Sequence, residues 1–236
     1  MLPQAICFDL DDTLLSDDAF SEQAWLRSCE LFAGNNNSIK SQELFSRINE
    51  IRKWFWNDVE RRREGSLDLF KARKSIVAMA LSGYGYDNDK MSEEIVNNYA
   101  SIKDELIDFF PDAEKTLDEL MAKHIKLALI TNGNGDSQRS KVNKFGLEKY
   151  FKICLIEGEL GFGKPDPRVY KAALNELQVK SKQVWMVGND LYFDIAGAQR
   201  SGIYTVWCDY GKKGLPEGSK VKPDRIINNL AELLTE

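Results

Sequence analysis

Short apolar runs that alternate with helical stretches constrain this chain more than any other feature. Gln4–Asp9 is apolar until it ends in an acidic cluster, and Ile125–Thr131, Val184–Val187 and Ile203–Cys208 have the same character. Ile153–Ile156 is a weaker fifth run. Runs without polar alternation read as strands buried on both faces. Helix signals lie between them. Asp112 can cap a helix through Leu117 and Leu120. Pro167 suits the first turn of another, through Tyr170 and Leu174. Phe193–Arg200 reads as a third, ended by Gly202. This alternation predicts an α/β fold with a parallel sheet and helices on both faces.

One segment, from about Asp17 to Asn98, breaks the alternation. It is rich in helix formers and holds no convincing strand. Leu26, Leu31 and Phe32, then Leu44, Phe45, Ile48 and Ile51, recur at helical intervals. Gly34–Ser38, Gly65-Ser66 and Gly83–Asp89 read as loops between helices. The predicted organisation is a discontinuous α/β core, residues 1–16 with 99–236, interrupted by a cap of four or so helices at 17–98.

Composition removes several function classes. Of 236 residues, 43% are hydrophobic, enough to bury a real core. The net charge of -5 gives no electrostatic footprint for nucleic acid. No apolar run approaches the roughly 20 residues that span a bilayer. The start, Met1-Leu2-Pro3-Gln4, lacks the basic and apolar regions of a signal peptide, so a cytoplasmic location is expected. Cys7, Cys29, Cys154 and Cys208 form no CxxC pair, and three of them lie in apolar, strand-like runs. That usage fits a reducing compartment without structural disulfides. His124, the only histidine, cannot build a zinc site and reads as structural.

Four polar clusters follow the apolar runs. Asp9-Leu10-Asp11-Asp12-Thr13 sets two carboxylates at i and i+2, on one side of the chain. Such a pair is costly beside an apolar strand unless a cation or a reaction needs it. A polar loop with a capping Asp would use the same residues. Thr131-Asn132-Gly133 can present donors to phosphate oxygens, or be an ordinary Asn-Gly turn. In Gly163-Lys164-Pro165-Asp166-Pro167 the prolines would aim Lys164, which could otherwise be a surface lysine. Gly188-Asn189-Asp190, with Asp194 beyond, ends another apolar strand and could also cap a helix. Together they put polar groups at the C-terminal ends of three parallel strands, where open α/β sheets bind ligands.

These four motifs, in this order, resemble the haloacid dehalogenase superfamily pattern: DxDxT, a hydrophobic strand ending in Ser/Thr, a Lys, and an acidic loop. The resemblance covers essentially the whole core. It implies a Rossmann-like parallel-sheet core with an inserted α-helical cap of the C1 type. Leu129-Ile130-Thr131-Asn132-Gly133 with Gln138-Arg139, Trp185-Met186-Val187-Gly188 and Thr205-Val206-Trp207 are similar to the N-acylneuraminate-9-phosphatase group. What the resemblance implies is a magnesium-dependent phosphatase acting on a small phosphorylated metabolite. Asp9 is then the nucleophile and Asp11 the general acid and base. Thr131, Asn132 and Lys164 hold the phosphoryl group, and Asp9, Asp11, Asn189 and Asp194 surround Mg2+. Asp11 favours phosphate esters over carbon–halogen bonds, since halide leaves without a proton. Asp12 reads as structural, capping the turn.

The family usually places Asp directly after the Gly of the fourth motif, where this chain has Asn189. Either Asn189 takes the ligand position through its amide oxygen, or the loop shifts and Asp190 binds the metal. The first register aligns Gly188 and Asp194 without a gap and implies a raised magnesium requirement. In the predicted cap, Trp54, Phe55, Trp56, Arg61, Arg62 and Arg63 could face an anionic substrate or simply pack and solvate the cap. A phosphomutase and a non-catalytic binding protein are the competing readings.

Overall fold

The computed structural model describes residues 2–35, 39–58, 60–61, 64–65, 68–86 and 89–235. The chain divides into two compact units, residues 1–16 with 108–236, and Asp17–Ile107.

The first unit opens with β1 (Ala5–Phe8), whose four residues are all fully buried. The second unit supplies α1 (Ser21–Asn35), α2 (Ser41–Asn57), α3 (Leu69–Ser82) and α4 (Asp89–Leu106). The first unit then resumes with α5 (Ala113–Ala122), β2 (Lys126–Thr131), α6 (Gly135–Lys144), β3 (Ile153–Ile156), the single turn α7 (Glu157–Leu160), α8 (Pro167–Leu177) and β4 (Val184–Gly188). A π-helical turn, Leu191–Ala196, runs into α9 (Gly197–Arg200), followed by β5 (Tyr204–Cys208) and β6 (Arg225–Ile227).

The six strands form one parallel sheet in the order β3-β2-β1-β4-β5-β6. Phe8 pairs with Leu129 on one side and Val187 on the other, so β1 is central and its end lies between those of β2 and β4. This is the doubly wound order, with its switch between β1 and β4. Alternate residues decide which helix each strand face meets. Ala5 and Cys7, Ala128 and Ile130, and Val184 and Met186 bury against Val169, Tyr170, Ala173 and Leu177 of α8. The intervening Ile6, Phe8, Leu127, Leu129 and Val187 are buried as well.

Asp112 differs from its expected role. It sits at φ 66 and its side chain caps nothing, although α5 begins after it and Thr116 N–H donates to its carbonyl at 2.8 Å. Strand β6 was not anticipated. It is three residues long and follows a proline, too short for a period to show. Asp224 seats it beside β5 by accepting from Thr205 N–H and Oγ1 at 2.8 and 2.7 Å.

In the helical unit the buried side of α1 is Ala24, Trp25, Ser28, Cys29 and Phe32. Leu31, expected on that side, is 54% exposed. Ser28 and Cys29 fill the stripe instead, and Ser28 satisfies its hydroxyl on the Ile95 carbonyl at 2.6 Å. Leu44 and Ile48 of α2 are buried as their spacing predicts. The expected boundary at residue 98 falls inside α4, whose buried Ile95, Val96, Tyr99 and Lys103 carry one helical face past it. Gly34 belongs to α1 and Gly65 to a helical turn, while residues 36–38 and 66 lie outside the described residues. Phe55 and Trp56 pack against this unit's core. Trp54 is 53% exposed and carries the Arg61 guanidinium over its ring at 3.7 Å. Arg62 and Arg63 lie outside the described residues.

Candidate active site

Asp9 leaves the end of β1 with its N–H bonded to the Val187 carbonyl at 2.9 Å. This bond continues the β1–β4 ladder by one residue and fixes where the carboxylate emerges. Asp9 is nearly buried, and each oxygen has a donor. Thr13 Oγ1 donates to Oδ2 at 2.8 Å, and Lys164 Nζ donates to Oδ1 at 2.5 Å. The loop closes tightly enough for this because Asp12 adopts φ 58 and bonds the Leu15 carbonyl at 2.7 Å. Tyr210 OH, from beyond β5, donates to the Thr13 carbonyl at 2.6 Å.

Lys164 is 4% exposed. Its Nζ also lies 2.7 Å from Asp194 Oδ1. Burial alone would lower its pKa, but the Asp194 and Asp9 carboxylates more than offset this and hold it well above the usual lysine value. Burial pushes the Asp194 carboxyl up to about 7, against the pull of Lys164 and with a further push from Asp9. One buried ammonium therefore serves two carboxylates.

The Asn132 side chain clamps the Lys164 backbone. Its Oδ1 accepts from Lys164 N–H at 2.8 Å, and its Nδ2 donates to the Lys164 carbonyl at 2.6 Å. Asn132 is a candidate phosphate ligand. Both ends of its side-chain amide reach the lysine loop, a partner the sequence could not show. Asp166 steadies the other end of that loop by capping α8, accepting from Arg168 N–H at 2.9 Å.

Thr131 ends β2, next to Asp9 across the sheet. Gln138 Nε2 donates to Thr131 Oγ1 at 2.5 Å and to Asp11 Oδ2 at 2.9 Å. Lys141 Nζ pairs with the other oxygen of Asp11 at 2.6 Å. Gln138 and Lys141 thus hold Asp11 from one face of α6. The role of Lys141 was missed by sequence reasoning. The available signal was its i, i+3 spacing from Gln138 on a helix that starts just after Thr131.

The Gly188 loop separates Asn189 from Asp190. The Asp190 carboxylate accepts from Tyr192 and Phe193 N–H, both at 2.7 Å, and so caps the π-helical turn. Its own N–H donates to Asp194 Oδ2 at 2.9 Å. Asn189 turns the other way: its Oδ1 lies 3.5 Å from Thr13 Oγ1, beside Asp9, and its carbonyl accepts from Trp207 Nε1 at 2.7 Å. Gly188 is required there, because a methyl group on it would collide with the Asp194 carboxylate. This division of labour predicts that Asp190→Ala costs about 1 kcal/mol of stability through the lost cap. The magnesium dependence of any activity should not move. A magnesium titration on that variant checks it, and a large rise in the requirement would hand the metal position to Asp190.

Asp9, Lys164 and Asp194 form one buried cluster, with Thr13 and Asn189 at its side and Thr131, Gln138 and Asp11 linked beyond it. The remaining sensitive side chains stand apart from this chemistry. His124 is exposed in the turn before β2, at φ 59. All four cysteines are free, and burial pushes the Cys7 and Cys29 thiols up to about 12, out of thiolate range. Among the described residues no helix is long and apolar enough to cross a membrane.

A doubly wound sheet that gathers acids and a buried lysine at its switch point is an α/β enzyme core. The haloacid dehalogenase-like hydrolase family model matches residues 3–202, so the chain belongs to that family. Among curated relatives, a phosphoserine phosphatase of Thermus thermophilus is 40% identical over 124 residues, 52% of this chain and 49% of that protein, so the match spans about half the relative's length. A glyceraldehyde 3-phosphate phosphatase of Pyrococcus furiosus is 28% identical over 98% of this chain and 91% of its own. The N-acylneuraminate-9-phosphatase of Rattus norvegicus, whose group the sequence resembles, is 26% identical over 98% and 92%. Among solved structures, magnesium-bound YfnB of Bacillus subtilis superposes with a TM-score of 0.75 at 23% identity, covering 99% of this chain and 97% of that one.

Proposed function

We propose that this chain is a magnesium-dependent phosphatase that hydrolyses a small-molecule phosphomonoester through an aspartyl-phosphate on Asp9. The observation that carries the reading is the setting of Asp9. It stands at the end of the central strand, held by Thr13 at 2.8 Å and by the buried Lys164 at 2.5 Å. The phosphatase names of its relatives favour the same reaction class. The substrate is a phosphorylated metabolite, and the expected location is the cytoplasm.

The site's oxygens suit Mg2+. Asp194 Oδ1 is buried, and its contact is with the Lys164 ammonium at 2.7 Å, which leaves further lone-pair capacity for a cation. Among the described residues no group of three or more His, Cys, Asp or Glu side chains is placed to hold a metal ion. Magnesium does not need one, because it commonly uses one or two carboxylates and keeps its remaining positions for water and substrate phosphate. Asp9, Asp194 and the Asn189 amide oxygen would hold it, with Asp11 at the edge of the set. When bound, it supplies positive charge that keeps Asp9 ionised and draws the phosphoryl oxygens in.

The chain's own groups do the rest. Asp9 attacks phosphorus, forming the acyl-phosphate bond as the ester P–O bond breaks. Asp11 gives its proton to the leaving oxygen, then takes one from the water that cleaves the acyl-phosphate. Lys164 and the Thr131 hydroxyl stabilise charge on the transferring group, at roughly 3–4 kcal/mol for a well-placed donor. Asn132 acts through Lys164 by fixing its backbone. Gln138 and Lys141 set where Asp11 waits between the two proton transfers. The helical unit is the substrate-selecting cap in this reading.

The test is a phosphate-release screen with magnesium over phosphoserine, glyceraldehyde 3-phosphate, N-acylneuraminate 9-phosphate and other phosphate esters. Magnesium-dependent release from at least one supports the reading, and silence on all counts against it. The neutral Asn189 adds a second expectation. Asn189→Asp should lower the magnesium concentration for half-maximal rate by roughly tenfold, since one more anionic ligand is worth on the order of 1.4 kcal/mol. An unchanged midpoint would remove Asn189 from the metal set.

A further inference from the structure

The helical unit contains a cavity of about 400 Å³ walled by all four of its helices, a volume suited to a small organic ligand. Its polar lining is Asp17, Asp18, Ser21, Arg52, Arg73 and Lys103. Asp17 is tied to Lys103 in an ion pair. Among the described lining residues three cations meet two acids, and Glu22 adds a third acid near Arg52.

Arg52 is the unusual member. Its Nη1 donates to Asn49 Oδ1 at 2.6 Å and its Nη2 to Ser21 Oγ at 3.1 Å, both neutral oxygens. Its guanidinium lies 5.4 Å from the centre of the Trp25 ring. Burial holds it below the usual arginine range, although Tyr99, Asp18 and Glu22 pull upward, and Arg73 adds to the lowering. Arg73 lies 5.1 Å over the ring of Tyr99. That ring stacks on Trp25 at 4.0 Å, so the two guanidinium groups flank one aromatic pair. Two arginines brought to one partly buried cavity repel each other. Both line the same cavity, so an anion bound there offsets that repulsion.

We propose that this cavity is a binding site for a small organic monocarboxylate. A lining this close to charge balance suits one carboxylate better than a phosphate dianion, which would leave the cavity negative. Trp56, Leu69 and Ile76, also in the lining, offer apolar surface for the rest of the ligand. The inference rests on the helical unit alone and is independent of the reaction at Asp9.

Calorimetric titration of the full chain at fixed ionic strength tests it, with benzoate, acetate, inorganic phosphate and chloride as probes. Benzoate should bind saturably, with a Kd of roughly 0.1–1 mM. Acetate should bind more weakly, and chloride should give no saturable signal. Arg73→Gln should weaken benzoate at least about tenfold, one well-made charge-assisted contact, and Arg73→Lys should recover part of the loss. The thermal transition reports whether each variant is folded. Asp9→Asn should bind benzoate like the wild type, which separates this site from the phosphatase reading. Benzoate binding that Arg73→Gln leaves unchanged, or saturation by phosphate but not by benzoate, would overturn the proposal.

Discussion

Asp9→Asn is expected to abolish phosphate release, by at least about 10³-fold, without unfolding the chain. An amide oxygen at this position has neither the charge nor the lone-pair basicity to form an acyl-phosphate. The substitution is close to isosteric, and its oxygen can still accept from Thr13 or Lys164. Lys164 also keeps its second carboxylate, Asp194, at 2.7 Å. The buried ammonium is therefore not orphaned, and the circular dichroism spectrum and thermal transition should stay near those of the wild type. Two measurements check this. One is phosphate release on the best substrate of the screen. The other is transfer of label from a ³²P-ester to the chain, present in wild type and absent in the variant. A variant that keeps even a tenth of the wild-type rate would mean that Asp9 is not the nucleophile.

Lys164→Met should fail in two separable ways. Methionine roughly fills the volume of the lysine stem but leaves Asp9 and Asp194 buried together with no cation between them. Removing one partner of a buried ion pair costs about 3–5 kcal/mol. The transition of the sheet unit should fall by roughly 10 °C in the absence of divalent metal. Loss of a charge-stabilising donor should also cost about 10²–10³-fold in rate. Adding Asp194→Asn removes one of the stranded charges. The double variant should therefore regain much of the lost stability and none of the activity. Recovery of both together would make Lys164 a structural residue only. Full stability in the single variant would mean that Asp194, already pushed up to about 7 by burial, takes up a proton once Lys164 is gone and so relieves the repulsion with Asp9.

Some of this protein was legible from local pattern alone. The apolar runs at residues 4–9, 125–131, 184–187 and 203–208 announced strands because a parallel sheet buries both faces and leaves no room for polar alternation. Asp9, Thr131 and the Asn189–Asp194 loop were readable because strand ends are where a chain of this class must place its polar groups. Pro167 marked the start of α8 because proline suits a first helical turn.

Other features depended on neighbours distant in sequence. Leu31 looked like core, but the stripe of α1 was decided by the helices packed on it, and Ser28 and Cys29 took that place. Asn132 was a candidate phosphate donor on its position, and only the fold gives its side chain two hydrogen bonds to a loop 32 residues on. Asn189 and Asp190 were both candidates, Asn189 the favoured one because Gly188 and Asp194 then align without a gap. The fold separated them, sending one toward Thr13 and making the other a cap. Lys141 met Asp11 across 130 positions with only its spacing from Gln138 as a local sign, and two arginines gathered in one helical cavity with none. Composition and period thus determined which segments are strands and helices and which strand ends carry chemistry, since both follow from burial along a single segment. The tertiary structure alone decided the partner of each polar side chain, because a hydrogen bond or ion pair is made by whatever the packing brings within about 3 Å, however far away in the chain.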